Sequence, residues 1–148
     1  MYKRQPLGQD PAERYVVASA LRGVLAQRLV RLLCPRCRVP SSAEAALKQG
    51  AAAGNRSLVS VLRTSSGGTF YDAGGCRECH DTGYSQRTGL FEVLPNDESL
   101  SRLIRNETAS QQDFAKYMVQ HNLPTFHTAG VKKVREGTTT VDELLRVV

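Results

Sequence analysis

Across residues 11–33 the apolar positions Ala18, Leu21, Leu25, Leu29 and Leu32 recur at steps of three and four. That period predicts one amphipathic helix, with Pro11 near its start. Arg22 and Arg28 flank the stripe and Arg31 points away from it. Gly23 costs such a helix about 1 kcal/mol relative to alanine, which suggests a close neighbour there. Pro35 is expected to stop the helix.

The pattern then breaks up. "SSAEAALKQGAAAG" reads as a short helix, with Ser41 and Glu44 at capping-box spacing and Gly50 or Gly54 at its end. "SLVSVLRT" fits a strand or a second helix. "TFYDA" reads as extended, and "RTGLFEVL" is rich in strand formers up to Pro95. These two are expected to pair, with residues 76–79 at or near the turn. The rest is helical. Asn96 or Asp97 caps a helix that turns Leu100, Leu103 and Ile104 inward. Ser110 caps another with Phe114, Tyr117 and Met118 on one face. Thr125 caps a third, which runs to Glu136 with Gly137 after it. Thr140 and Glu143 form a capping box before "VDELLRVV". The 54 residues after Leu94 are marginal as an independent core, so they are expected to pack on something else.

Four cysteines change this picture. They form two C-x-x-C pairs, "CPRC" at 34–37 and "CREC" at 76–79, with 38 residues between them. Two such knuckles facing each other make a four-thiolate tetrahedral site, the usual structural zinc arrangement. Cys34, Cys37, Cys76 and Cys79 are therefore the candidate metal ligands. Two intervening residues let both sulfurs of a knuckle reach one ion at about 2.3 Å each. Gly74, Gly75 and Gly83 permit the tight backbone around the second knuckle, and Pro35 stiffens the first. Closing the long loop costs about 3 kcal/mol, against about 10–16 kcal/mol from structural zinc. A disulfide framework is disfavoured if the chain stays in a reducing compartment. A redox C-x-x-C would account for one pair but not both. Iron in a rubredoxin-like site uses the same four thiolates and stays open. His80 is a possible substitute ligand, but with four thiolates complete it is expected to face solvent. His121 and His127 have no second ligand cluster beside them and are expected as surface or capping residues.

The charge narrows the setting. With 20 Lys and Arg against 14 Asp and Glu, the formal charge is +6. Counting four thiolates and Zn²⁺ leaves it at +4. Six arginines and no carboxylate lie between Arg14 and Arg38. Such a block suits nucleic acid, acidic lipid or an acidic protein surface, but its plain reading is a solvated helix face. Only Tyr15 lies within it, whereas nucleic-acid sites interleave aromatics, so nucleic acid is disfavoured. With 41% hydrophobic residues the chain is expected to fold. It has no run long enough for a transmembrane helix and no signal-like start, so a cytoplasmic setting is expected.

Three quoted stretches carry a family resemblance: "VASALRGVLAQRLVRLLCPRC", "GCRECHDTGYSQRTGLFEVL" and "GVKKVREGTTTVDELLRVV". Together they resemble the C-terminal part of the secretion ATPases, namely the E-protein ATPases of type II secretion systems and the related pilus-assembly ATPases. In that family a helix ending in "QRL" enters a tetracysteine zinc module, and a "GYxGRTGxxE" segment follows the second knuckle. Here "GYSQRTGLFE" occupies 83–92, with Gln86 where glycine is usual; "RTGLFE" leans toward the secretion branch. The likeness covers residues 11–38 and 70–148, and is poor over 41–69. It implies a mainly α chain with a small β-hairpin zinc module, as a C-terminal fragment of a P-loop (RecA-like) secretion ATPase without its nucleotide-binding core. It further implies 1–10 as an unmatched leader, 11–33 as the last helix of the ATPase core, 34–94 as the zinc module and 95–148 as a C-terminal helical region.

The resemblance also implies a hexameric motor, cytoplasmic and peripheral at the inner membrane, that powers pseudopilus assembly and protein export. Its partners would be neighbouring ATPase subunits, inner-membrane platform proteins and acidic lipid. Zn²⁺ would be structural, with ATP and Mg²⁺ bound only in the full-length protein. No G-x-x-x-x-G-K-[ST] occurs in this chain and no Walker B strand end is evident, so hydrolysis of ATP by this chain alone is not expected. Two other classes remain open at this point. One is a free-standing zinc-ribbon-like module binding nucleic acid or protein. The other is a cysteine-rich chaperone module, since "CRECHDTGY" echoes DnaJ-like repeats.

Overall fold

The computed structural model describes residues 10–64 and 67–148. The unmatched leader lies outside the described residues except for Asp10, whose carboxylate accepts the Ala12 N–H and caps the first helix. The chain forms, in order, α1 (Pro11–Ala20), β1 (Gly23–Leu33), β2 (Val39–Ser41), α2 (Ala43–Ala52), α3 (Arg56–Thr64), β3 (Phe70–Asp72), β4 (Tyr84–Pro95), α4 (Glu98–Arg105), α5 (Gln111–Gln120), α6 (Phe126–Arg135) and α7 (Val141–Val147). The fold is thus mixed: seven helices and two separate two-stranded ribbons among the described residues.

The single helix expected over 11–33 does not form. It ends at Ala20, and an eleven-residue strand follows. Two long-range contacts decide this. The side-chain amide of Asn96 donates to the carbonyls of Ala18 and Leu21, closing the helix end. Gly23 then starts β1 so close to its neighbour that a Cβ there would lie 3.1 Å from the Leu94 carbonyl oxygen. The presumed stripe is not an inward face, since Leu25 and Leu29 are 62% and 50% exposed while Val30 is fully buried. With no helix to stop, Pro35 serves only the turn after β1.

The strand pairing also differs from expectation. β3 does not pair with β4. It runs antiparallel to β2, with Pro40 opposite Tyr71. β4 pairs with β1. Asn96 N–H donates to the Arg22 carbonyl at one end of that ribbon, and Cys34 N–H to the Gly83 carbonyl at the other, so these strands are antiparallel too. The ladders are nested, β2–β3 lying in sequence within β1–β4. The expected small hairpin is replaced by a long ribbon and a short one.

Compactness divides the chain into two units. In one, formed by residues 10–26 and Glu92–Leu123, α1 packs on α4 and α4 on α5, around Ala18, Leu100 and Tyr117. Asp97 caps α4 by accepting the Leu100 N–H, and Asp113 accepts the N–H and hydroxyl of Ser110 at the start of α5. The other unit, Gln27–Phe91 and Pro124–Val148, holds the larger core. Leu58 and Leu62 of α3 meet Val131 and Val134 of α6, with Val30, Phe70, Leu90 and Leu144 in the same cluster. Here "SLVSVLRT" is helical, and Ser42, not Ser41, caps α2 by accepting the Ala45 N–H. Thr125 and Thr140 cap α6 and α7. The return half of the expected Thr140–Glu143 capping box does not form, because the Glu143 carboxylate is turned to Arg31 and Arg146.

One buried charge ties α7 to β1. The Glu143 side chain is fully buried, and its carboxylate accepts five hydrogen bonds: from the backbone N–H, Nε and Nη2 of Arg31, and from Nε and Nη2 of Arg146. Thr139 Oγ1 donates to the Arg31 carbonyl, and Leu33 N–H to the Thr138 carbonyl. The edge of β1 away from β4 is therefore occupied rather than open. Burial alone would push the Glu143 carboxyl up. The bonds from Arg146 and Arg31 outweigh it and hold the group at about 2, below its ordinary 4.5. The contribution is then complete above pH 4.5 and is lost as pH falls toward 2. Glu143→Gln is expected to cost about 3 kcal/mol at neutral pH. Urea unfolding of parent and variant should show that gap closing between pH 4.5 and 2; a gap independent of pH there would contradict the assignment.

Candidate metal centre

The two knuckles are the two turns that link the nested ladders. Cys34 and Cys37 lie on the turn between β1 and β2, and Cys76 and Cys79 on the turn between β3 and β4. Each turn is locally closed. Cys37 and Arg38 N–H groups donate to the Cys34 carbonyl, and Cys79 and Asp81 N–H groups to the Cys76 carbonyl. Residues 77–79 form one 3₁₀ turn.

The glycines do what their placement predicts. A Cβ on Gly74 would sit 2.1 Å from the Cys37 carbonyl oxygen, so only glycine lets the turns approach. Gly83 has φ +74 and would clash with the Gly74 carbonyl at 2.5 Å.

The four Sγ atoms all lie within 4.8 Å of one another. The Cys34–Cys76 separation is 3.9 Å, and Cys37–Cys79 and Cys76–Cys79 are each 3.7 Å. Sulfurs arranged tetrahedrally at about 2.3 Å from one ion stand about 3.8 Å apart. The spacing fits a four-thiolate ion site and is far too long for a disulfide, and all four cysteines are free. His80 is exposed in a left-handed backbone conformation and is not one of the clustered ligand groups.

The sulfurs are not equivalent. Burial pushes the Cys79 thiol up, but the N–H groups of Cys76 and Gly83, at 3.4 and 3.2 Å from its sulfur, reverse this and bring it to about 6. Burial, followed by the neighbouring sulfurs of Cys79, Cys76 and Cys34, pushes Cys37 up to about 12. Without a cation, four thiolates this close would repel one another. One ionises readily and another holds its proton, the arrangement a divalent ion resolves by displacing protons.

The arginine block is used differently from a solvated helix face. Arg31 is committed to Glu143 and lies 4.1 Å over the Tyr84 ring. Arg36 pairs with Glu78, joining the two knuckles across an exposed contact. Arg38 donates to the Gly137 carbonyl and stacks on Tyr71, Arg28 lies over Phe126, and Arg14 donates to the Asn106 carbonyl. Arg31 therefore does not point away. Glu143, which anchors it, was not visible as a site residue: its capping spacing to Thr140 accounted for it locally. The available signal was a carboxylate between Val141 and Leu144 on the inward face of α7. Among the described residues no helix is long and apolar enough to cross a membrane.

Comparison with known proteins shows the family of the chain. A family model described as "Type II/IV secretion system protein" matches residues 5–146. The chain is 39% identical over 138 residues to the type II secretion system protein E of Pseudomonas aeruginosa, covering 91% of this chain and 25% of that protein. It is 36% identical to the type II secretion system ATPase E of Vibrio cholerae, with the same coverage. To the type IV pilus assembly ATPase TfpB of Acinetobacter baylyi it is 34% identical, over 96% of this chain and 22% of the relative. The chain spans about a quarter of the length of these relatives. A match that runs through both cysteine turns and over nearly the whole sequence leaves one conclusion: the chain belongs to the type II/IV secretion system protein family.

Proposed function

We propose that this chain is the zinc-binding C-terminal segment of a secretion ATPase, one that acts as a hexamer at the cytoplasmic face of the inner membrane. The observation that carries the reading is the four-sulfur cluster at tetrahedral spacing, in a chain of this family. Cys34, Cys37, Cys76 and Cys79 would hold the ion. Zinc with four thiolates supplies no open position for chemistry, so its contribution is structural.

The residues of the chain define what that structure does. The cluster pins the ends of both ladders, which makes residues 34–94 a stiff module attached through β1 and β4. Stiffness suits a part that passes a subunit movement to a neighbour or holds a subunit contact. ATP and Mg²⁺ belong to the longer protein, in which the motor would drive pseudopilus assembly and export with inner-membrane platform proteins. The alternative, a free-standing zinc-ribbon-like module binding nucleic acid or protein, is less favoured, because the arginines are spread over helix, strand and turn positions rather than gathered on one helix face. Five of the six arginines between Arg14 and Arg38 already have partners within the chain. Reversing Arg31 would break the Glu143 pair rather than test a membrane contact.

Elemental analysis of the purified chain is expected to return one zinc and negligible iron per chain; substantial iron, or no metal, would contradict the reading. Gly74→Ala keeps all four sulfurs but drives a methyl into the Cys37 carbonyl. Competition with a chromophoric chelator should show zinc affinity lowered by about 10–100-fold, and unchanged affinity would count against the geometry. In the full-length ATPase, Cys76→Ser should abolish secretion while nucleotide binding persists. Normal secretion by that variant would sink the proposed role.

A further inference from the structure

Beside the second knuckle lies a cleft of about 630 Å³ lined by Arg31, Thr82, Tyr84, Ser85, Gln86 and Arg87. No carboxylate is among the lining residues. Glu143 is buried behind Arg31 and shared between Arg31 and Arg146, so this trio keeps one net positive charge. Arg87 adds a second. It is exposed and has no partner among the described residues.

Arg31 is fixed before any ligand arrives. Its Nε and Nη2 are held by Glu143 at 2.9 and 2.7 Å, and its Cζ lies 4.1 Å from the centre of the Tyr84 ring. The Tyr84 hydroxyl is in turn bonded to the Thr140 hydroxyl at 2.8 Å. Nη1 is not engaged by Glu143, and the side chain remains 37% exposed. A guanidinium held this way loses little further freedom on binding, which favours recognition. Ser85 and Gln86 add a hydroxyl and a carboxamide on the same strand, and Gln86 is the residue that replaces the usual glycine of the segment.

We infer that this cleft docks an acidic segment of a partner protein through its carboxylates. Planar guanidinium groups suit carboxylates. Phosphate is less well matched: the cleft is walled by side chains of β1, β4 and the turn before β4, with no helix N-terminus contributing backbone N–H groups.

The test uses the zinc-loaded, ¹⁵N-labelled full chain titrated with an acetylated, amidated tetraglutamate peptide at low salt. Saturable shifts are expected at the Arg31 Nε–H and at the backbone amides of residues 82–87, weakening as salt is added. Arg87→Glu should weaken binding by about tenfold without moving resonances elsewhere. Any of three results overturns the inference: equal shifts from the tetraglutamine peptide, parent-like binding by Arg87→Glu, or no saturable shift in the cleft. Inorganic phosphate shifting the same resonances at lower concentration than the peptide would also overturn it.

Discussion

Bringing four sulfur atoms within 4.8 Å is the constraint on which the larger unit rests. Because β2–β3 is nested inside β1–β4, the chain reverses twice through one small region, and both reversals carry a cysteine pair. Holding the turns together fixes where each ladder begins. The Cys34–Gly83 hydrogen bond starts the long ribbon at one of the clustered cysteines, and the Gly74–Cys37 approach starts the short one. Contacts between the two turns thus set the register of both ribbons, although 38 residues separate the two cysteine pairs in sequence.

The second organising feature is Glu143. A buried carboxylate is costly unless its acceptor positions are filled, and here five donors fill them. The same bonds close the free edge of β1 and steady Arg31 on Tyr84, which follows directly from the second knuckle. The second cysteine turn and α7 are therefore linked through Tyr84, by its hydroxyl to Thr140 and by its ring to Arg31. Several arginines of the Arg14–Arg38 block are held in place by such internal contacts, so they do not form one free basic face.

What the sequence made legible was local. Cysteine spacing within each pair and the capping positions Asp97, Ser110, Thr125 and Thr140 each act within a few residues, and each sits where expected. What it concealed was set from far away. Residues 23–33 carry a helical period, yet pairing with β4 some sixty residues later makes them a strand, and the Asn96 amide ends the helix before them. "TFYDA" and "RTGLFEVL" are both strands, but nested pairing gives each a partner not adjacent in sequence. Glu143 read as a cap residue because the local pattern sufficed; its tie to Arg31 spans 112 positions.

The proposed four-thiolate zinc site is tested most directly by X-ray absorption at the zinc edge of the purified chain. It predicts one shell of four sulfur scatterers at about 2.3 Å and no nitrogen or oxygen shell. Fewer than four sulfurs, or a histidine nitrogen among the ligands, would contradict it.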